Sequence, residues 1–510
     1  MAHDWKSCLG SPIGGSNPPL SATPRHSSCL YMKKYLLEFV VFITGGIVMI
    51  LELCGSRILA PYVGTSLVVW TSLIGIILGC LSIGYFLGGK VADKKVDFAT
   101  LAVILFLSSN FVAGIGFLKV PMLNALNALF LPLSIKVLIA TILLFTAPSI
   151  FLGMVTPIAA KLKVKSMKTL GGTVGNLYAI STAGSIAGTF LAGFVLIASF
   201  GVTNIILGLS VALLLLSLLL SASRIKSKVA AIGGIFLLIL LNNLYIRPEG
   251  KNFESNYSNI QVLVRDSMKF LKIDNKIHSA IYLDSSELVY DYSKYYHLVK
   301  KINPEAKKIL MIGGGAYSVP KDFLRRYRDI TMDVVEIDPM LTDISKKEFG
   351  LRADPRLRIY HEDGRTFLNR ISVEEAGSYD AVFVDAFSNW TVPFQLATRE
   401  AVEKIDRLLS KNGIIITNLI SAIGGSSGGF FQAEYSTYSS VFPKVGVIPV
   451  DSLDDKKLQN LMLFGFKNKT MQIDPVLYSL NVFWSGSIVS KPILTDDFAP
   501  VEQYLLANEL

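Results

Sequence analysis

Seven apolar stretches between residues 35 and 246 limit what the first half of this chain can fold into. A helix needs roughly 20 apolar residues to cross a bilayer, and each stretch is near that length. The chain has 510 residues, of which 51% are hydrophobic and only 17% charged. We therefore predict a transmembrane region over residues 32–247, with helices near 35–54, 66–88, 98–118, 136–160, 175–199, 203–222 and 229–246.

Basic residues fall in alternate loops of this region, as at Lys33, Lys90, Lys161 and Arg224. The positive-inside rule makes these loops and the N-terminus cytoplasmic. The same residues account for most of the net charge of +10, so no nucleic-acid-binding surface is predicted. An odd number of helices would place the C-terminal half outside the cytoplasm.

Two ionisable residues, Glu52 and Arg57, lie at or near the end of the first apolar stretch. Such groups are expensive in lipid and often functional, although a pair near the membrane surface also explains them. The segment 89–94 is similar to the loop between the second and third helices of major facilitator transporters. Transport therefore stays open as an alternative function of this region.

The N-terminal extension carries no predicted site. Residues 1–31 are rich in Gly, Ser and Pro and lack periodicity, which predicts disorder, and we expect Met32 to be the natural start. All four cysteines lie within the first 80 residues and form no disulfide framework or zinc-ligand spacing. The five histidines show no ligand spacing either, so no metal site is predicted.

From about residue 252 the composition becomes that of a soluble domain. Short β-rich runs between residues 257 and 283 predict a small antiparallel lead-in sheet. Strands then alternate with helix-length segments, which favours a Rossmann-like α/β domain with a parallel, doubly wound sheet over 252–510. Its strands are predicted near 309–312, 332–337, 357–360, 380–385, 413–419, 445–450 and 460–466.

The first two of these strands end in groups suited to a nucleoside. Ligands of such sheets bind at the carboxyl ends of the strands. Gly313, Gly314 and Gly315 follow the first strand and let backbone approach a ligand without a Cβ, although triple glycine also makes plain turns. Glu336 ends the second strand, 23 residues after Gly313, where a carboxylate can accept both hydroxyls of a ribose.

The next two strands end in aspartates. Asp363 precedes Gly364, a pair that is usually a turn but could accept the amino group of adenine here. Asp385 closes the apolar run 382–384 and is a candidate general base, with a turn or helix N-cap as the alternative.

The order of motifs resembles the spermidine synthase family, the polyamine aminopropyltransferases. The motifs are IGGG, VVEIDP, DPRLR, EDGRTFL and YDAVFVDAF, with LTDDFAPV near the C-terminus, and the resemblance covers about residues 255–505. The attached apolar region resembles bacterial membrane-fused members. The resemblance implies transfer of an aminopropyl group from decarboxylated S-adenosylmethionine, a co-substrate and not a prosthetic group, to putrescine or a similar amine, with release of methylthioadenosine.

The resemblance also implies roles for individual residues. Asp385 would be the proton acceptor, and Pro393 would lie in a loop over the active site. The donor nucleoside would be bound by Gly313, Gly314, Gly315, Glu336, Asp363, Gly364 and Pro393.

The acceptor half of the implied site departs from the family. Ala316 stands where an Asp usually follows the triple glycine, and Ser388 replaces a second Asp three residues after the catalytic one. Ser258 replaces an expected Gln, and Tyr292 falls where a polyamine-contacting His often lies. Tyr292 and Ser388 are the predicted acceptor-binding positions, and a dication has fewer carboxylate partners there.

Two alternatives stay open. Methyl transfer from ordinary S-adenosylmethionine would use the same methyltransferase-type sheet, and a polyamine transporter could carry a C-terminal nucleoside- or polyamine-binding domain. A nicotinamide enzyme is disfavoured because Ser318 replaces the last glycine of G-x-G-x-x-G. The predicted partners are a small amine, a sulfonium nucleoside and the lipid bilayer, without nucleic acid, and a homo-oligomer stays open. We expect a multi-pass protein of the cell membrane with its catalytic domain in the cytoplasm, where its substrates would be found. Seven helices with a cytoplasmic N-terminus would instead place that domain outside.

Overall fold

Two compact units make up the chain, an N-terminal helical unit and a C-terminal α/β unit. The computed structural model describes residues 24–63, 66–94, 96–129, 131–164, 166–220, 250–387, 392–469, 483–484 and 488–506.

Six helices of the N-terminal unit are long and apolar enough to cross a membrane, counted over the described residues. They agree with the first six predicted stretches, whereas the seventh, 229–246, lies outside the described residues. Of the predicted disordered extension, residues 24–31 belong instead to the first helix, and residues 1–23 lie outside the described part. The helices are Pro24–Val63, Leu67–Ala92, Phe98–Asn127, Leu133–Lys163, Leu170–Leu191 and Val202–Leu220.

Glycines bring the first and fifth of these helices into close contact. A Cβ on Gly184 would lie 2.0 Å from the carbonyl oxygen of Phe42, and one on Gly188 would lie 2.4 Å from that of Gly46. Small residues at such positions let helix backbones approach each other in a membrane. This contact explains the small residues at 183–188.

The C-terminal unit begins with an antiparallel sheet of four strands in the order β1-β2-β3-β4. Two-residue turns with positive φ at both positions join the last three strands, at Asp266-Ser267 and at Asp274-Asn275. Such turns match the right-handed twist of paired strands. This is the predicted lead-in sheet, with strands β1 Lys251–Glu254, β2 Asn259–Arg265, β3 Met268–Ile273 and β4 Lys276–Tyr282.

The main sheet has eight strands in the order β12-β10-β11-β9-β8-β5-β6-β7. Its strands are β5 Lys308–Ile312, β6 Thr331–Val335, β7 Leu357–Tyr360, β8 Tyr379–Val384, β9 Leu409–Ser421, β10 Lys444–Pro449, β11 Gln459–Phe466 and β12 Phe483–Trp484. β5 pairs in parallel with both β6 and β8, so the chain reverses its direction of winding at β5. The carboxyl ends of β5, β6 and β8 therefore meet at one edge of the sheet.

The predicted doubly wound sheet is confirmed, with β5 to β9 parallel, whereas its last strands are antiparallel. β11 is antiparallel to β9 and to β10, and β12 is antiparallel to β10. Only residues 450–458 join β10 to β11, and a parallel connection would need a crossover of a dozen or more residues. Because β11 pairs with both β9 and β10, it lies between them in the sheet.

Helices cover both faces of the main sheet, as expected for a doubly wound domain. One hydrophobic cluster includes Phe367, Val382 and Phe430, and the cluster on the opposite face includes Phe323, Phe383 and Ile416. The helices are Asp291–Lys294, Leu298–Ile302, Ser318–Arg326, Pro339–Glu348, Gly364–Glu374, Phe394–Ala397, Arg399–Leu408, Gly429–Ser439 and Val501–Leu506.

Candidate active site

The glycine loop follows β5 and packs against the end of β8. Gly313 has a φ of 98°, and a Cβ there would lie 2.4 Å from the carbonyl oxygen of Asp385. Its N–H donates to the carbonyl oxygen of Val335 at 2.9 Å. Position 313 therefore requires glycine for both its backbone conformation and its close contact.

Glu336 holds the glycine loop in place from the end of β6. Its Oε2 accepts hydrogen bonds from the N–H groups of Gly314 at 2.9 Å and Gly315 at 3.1 Å, and its Oε1 accepts from Asp338 N–H at 3.0 Å. Burial raises the pKa of Glu336, and these three donors oppose that effect only in part. The carboxylate predicted to bind ribose thus shapes the glycine loop, and the ribose contact itself stays a prediction.

Asp385 follows β8 directly and is half-buried. Its Oδ1 accepts a hydrogen bond from Asn418 Nδ2 at 2.9 Å, and its Oδ2 accepts one from Tyr292 OH at 3.4 Å. Burial raises the pKa of Asp385 to about 6, although both donors act in the opposite direction. A carboxyl group of this kind is ionised above neutral pH and still basic enough to accept a proton.

Two asparagines that sequence reasoning misses orient Asp385. Asn418 lies on β9 and Asn460 on β11, and Asn460 Nδ2 donates to Asn418 Oδ1 at 2.9 Å. This bond directs the Asn418 NH2 group toward Asp385. The available signal is a single amide side chain within the apolar run of β9.

Tyr292, Gly314 and Asp385 line one pocket. Its wall also contains Ser279, Tyr290 and Ser318, and its other lining residues are apolar apart from one more serine. The Oγ of Ser318 is buried without a hydrogen-bond partner. Burial, followed by the nearby Asp385, raises the pKa of Tyr292 well above that of a free tyrosine, so its phenol is neutral and can donate.

Asp363 and Gly364 lie at the start of the helix Gly364–Glu374. Asp363 Oδ1 caps this helix by accepting from Thr366 N–H at 2.9 Å, and its Oδ2 lies 3.5 Å from Gln395 Nε2. The N-cap role is observed, and adenine recognition stays a prediction. A Cβ on Gly364 would lie 2.8 Å from a methyl carbon of Ile312, so this glycine lets the helix approach the end of β5.

Pro393 directly precedes the short helix Phe394–Ala397, and its carbonyl accepts from Leu396 N–H at 2.8 Å. Gln395, two residues later, reaches Asp363. Pro393 is thus near Asp363 in the chain's fold, which is compatible with its predicted position in a covering loop. Ser388 lies outside the described residues.

Ala316, the position of one departure from the family pattern, faces a hydrophobic cluster. It is fully buried with Ile260, Leu271 and Leu341 among its neighbours. These residues come from the lead-in sheet and from the helix Pro339–Glu348. Position 316 therefore packs these elements together, which suits alanine.

These features define a class of protein. Sheet order, a glycine loop after β5 and a carboxylate after β6 are those of a Rossmann-like, methyltransferase-type domain. Residues 287–423 match the spermine/spermidine synthase domain. The C-terminal unit is therefore similar to the spermidine synthase family over these residues.

Individual relatives share parts of the C-terminal unit. The polyamine aminopropyltransferase of Vibrio vulnificus (strain CMCP6) is 33% identical over 140 residues, which are 28% of this chain and 45% of the relative. That of Streptococcus uberis is 29% identical over 208 residues, 39% of this chain and 70% of the relative. This chain thus spans less than half the length of the first relative.

A solved structure of a probable spermidine synthase from Corynebacterium glutamicum ATCC 13032 also resembles this chain. The likeness has a TM-score of 0.39 and a sequence identity of 23%, and it covers 43% of this chain and 81% of the other.

Proposed function

We propose that this protein is a membrane-anchored aminopropyltransferase, which uses decarboxylated S-adenosylmethionine as donor and an amine of the putrescine type as acceptor. The observation that carries the proposal is the carboxylate of Asp385. It lies at the end of β8 beside the glycine loop, borders a pocket, and has its pKa raised to about 6. The family match of residues 287–423 supports the choice of reaction.

The proposed step is a single displacement at carbon. The lone pair of the neutral amine nitrogen attacks the aminopropyl methylene group next to the sulfonium. The carbon–sulfur bond breaks, and its electron pair stays on sulfur, which leaves as the neutral thioether of methylthioadenosine. An alkylammonium acceptor must lose one proton to attack, and Asp385 accepts it and passes it to solvent.

The protein's contribution is position and proton transfer, since the sulfonium is already a good leaving group. Glu336 holds Gly314 and Gly315, and these backbone groups would support the nucleoside. Asn418 and Tyr292 fix the carboxylate of Asp385 from two sides. Holding amine and methylene carbon in line supplies much of the rate in such reactions.

The test uses the full chain in detergent or nanodiscs with the decarboxylated donor and putrescine or other amines, and methylthioadenosine is measured by chromatography. We expect product from the parent protein and an Asp385→Asn variant at least about a thousandfold slower. Asp291→Asn is the matched control, because Asp291 is an exposed aspartate paired with Lys294. No product with any amine, or an Asp385→Asn protein as active as the parent, contradicts the proposal.

Methyl transfer from ordinary S-adenosylmethionine is the second candidate. This candidate is favoured because Ala316 lies in buried, apolar surroundings. The part of the site that would bind the acceptor therefore lacks one carboxylate that spermidine synthases usually have. Titration of the full chain with both donors separates the candidates. Tighter binding of the carboxylated donor, with a methylated product, would establish methyl transfer.

We also propose that the protein is a multi-pass protein of the cell membrane with its α/β unit in the cytoplasm, where amines and sulfonium nucleosides are made. The six apolar helices among the described residues support the membrane part of this proposal. A reporter that is active only in the cytoplasm, fused after residue 510, should be active. Activity of a reporter restricted to the outside would contradict it.

A further inference from the structure

We propose that, among amines of the putrescine type, the preferred acceptor is a primary amine with one positive charge whose far end is neutral and forms hydrogen bonds, such as an amino alcohol. This inference rests on the proposed function and narrows its acceptor. It follows from the charge of the pocket beside Asp385, from the apolar surroundings of Ala316, and from one buried hydroxyl without a partner.

The pocket offers one negative charge. Among the described residues that line it, Asp385 alone is acidic, and none is basic. The phenol of Tyr292 stays neutral because burial and the nearby carboxylate raise its pKa. One carboxylate matches one ammonium group, which is the end of the acceptor that reacts.

A second ammonium group would find no carboxylate at position 316. Ala316 is fully buried in a hydrophobic cluster. Moving a second charge from water into such a pocket without a partner is unfavourable, so a diamine should bind less well than a singly charged amine of equal length.

Ser318 supplies a hydrogen-bonding group for a neutral, polar end of the acceptor. Its Oγ is buried, lacks a hydrogen-bond partner, and belongs to the lining of the same pocket as Asp385. Buried hydroxyl groups in folded proteins nearly always have a partner. A ligand hydroxyl can donate to Ser318 and accept from it, whereas an ammonium group can only donate.

The rings of Tyr290 and Tyr292 stack with their centres 6.0 Å apart and also line the pocket. Together with Leu288 and Val289 they give the pocket wall an apolar character. An alkyl chain of a few carbons is the chemical class that such a wall accommodates.

The test compares three acceptors of the same carbon number on the full chain: putrescine, the amino alcohol that replaces one of its amino groups by hydroxyl, and n-butylamine. Methylthioadenosine release gives kcat/KM for each. We expect the amino alcohol to exceed putrescine by about tenfold or more, with butylamine between them. Putrescine as the best acceptor overturns the inference and leaves the proposed function standing. No product with any of the three overturns the proposed function and the inference with it.

Variants of Ser318 test separately how the charge and the hydrogen bonding at the far end of the acceptor affect the choice of acceptor. Ser318→Ala should remove the advantage of the amino alcohol over butylamine, measured as the ratio of their kcat/KM values in the same variant. Ser318→Asp should move the preference toward putrescine by supplying a second carboxylate. Ser286→Ala, at an exposed serine outside the pocket lining, is the control and should keep the parental order of acceptors. An unchanged order of acceptors in both Ser318 variants contradicts the assigned role of Ser318.

Discussion

The side-chain amide of Asn418 donates a hydrogen bond of 2.9 Å to the carboxylate of Asp385, and this contact joins the last two parallel strands of the sheet at the candidate active site. The donor stabilises the ionised form of Asp385 and so lowers its pKa relative to burial alone.

Asn418→Leu should therefore move the acidic limb of the pH profile to higher pH. Without this donor the pKa of Asp385 rises above about 6, and a larger fraction of the enzyme is protonated at neutral pH. Measuring kcat/KM for methylthioadenosine release between pH 5 and 9 tests this, with about tenfold loss expected at the acid end. Asn412→Leu, at an exposed position of the same strand, is the control. An acidic limb that stays in place in Asn418→Leu contradicts the assignment.

Asp385→Asn should increase stability while it removes activity. The pKa of Asp385 is raised from 3.8 to about 6, so the folded state binds this proton more tightly than the unfolded state does. Stability therefore falls as pH rises from about 4 to 6, and at pH 8 the ionised carboxylate costs roughly 2 to 3 kcal/mol. Thermal unfolding of the parent and Asp385→Asn proteins should differ at pH 8 and converge near pH 3.5. Equal melting temperatures at both pH values would argue against a raised pKa.

Gly313→Ala should abolish donor binding. The new Cβ would lie 2.4 Å from the backbone oxygen of Asp385 at a φ of 98°, so the loop or the end of β8 must move. Gly350→Ala is the matched control, because Gly350 also has a positive φ, 70°, but a Cβ there would have nothing within 4 Å. Titration with methylthioadenosine measures the difference. Equal binding by the two variants would remove the glycine loop from the nucleoside site.

Glu336→Gln should weaken nucleoside binding by about tenfold or more. The carboxylate accepts three backbone N–H bonds with two oxygens, and an amide NH2 group in place of either oxygen faces a donor with a donor. Glu305→Gln, at an exposed glutamate, is the control. Calorimetric titration with methylthioadenosine gives both affinities, and unchanged binding in Glu336→Gln would contradict this arrangement.

Asp322→Asn should destabilise the α/β unit by roughly 2 kcal/mol, since the buried Asp322 loses the charge that strengthens its hydrogen bonds with the exposed Arg325 and Arg326. Desolvation alone would raise the pKa of Asp322, but hydrogen bonds from His297, Arg325 and Arg326 hold it at about 2. The stability from this group is fully present above about pH 4 and is lost as pH falls toward 2. Denaturant unfolding of both proteins at pH 7 and pH 3 tests the size and the sign.

The sequence predicts the parallel core because strands alternate with helix-length segments. β5 and β8 also read as nearly continuous apolar runs, as strands buried on both faces do. It does not predict the antiparallel insertion of β11, since pairing partners distant in sequence leave no local pattern. Asp385 is predicted as a candidate from its position after β8. The hydrogen bond from Asn460 to Asn418 is not, because it depends on the order of strands in the sheet. In the sequence, Ser318 is noted only because it replaces the last glycine of G-x-G-x-x-G. Its buried hydroxyl without a partner is known only from the structure of the pocket.

Strand order also sets when the site can form during synthesis. The glycine loop, Glu336 and Asp385 are complete once the chain has been made as far as β8 and β9. Asn418 receives its orienting bond from Asn460, which lies on a strand that enters the sheet between β9 and the earlier-made β10. A nascent chain can thus form the glycine loop and its contacts with Glu336 before the side chain of Asn418 is fixed beside Asp385, and that last step waits until β11 has left the ribosome.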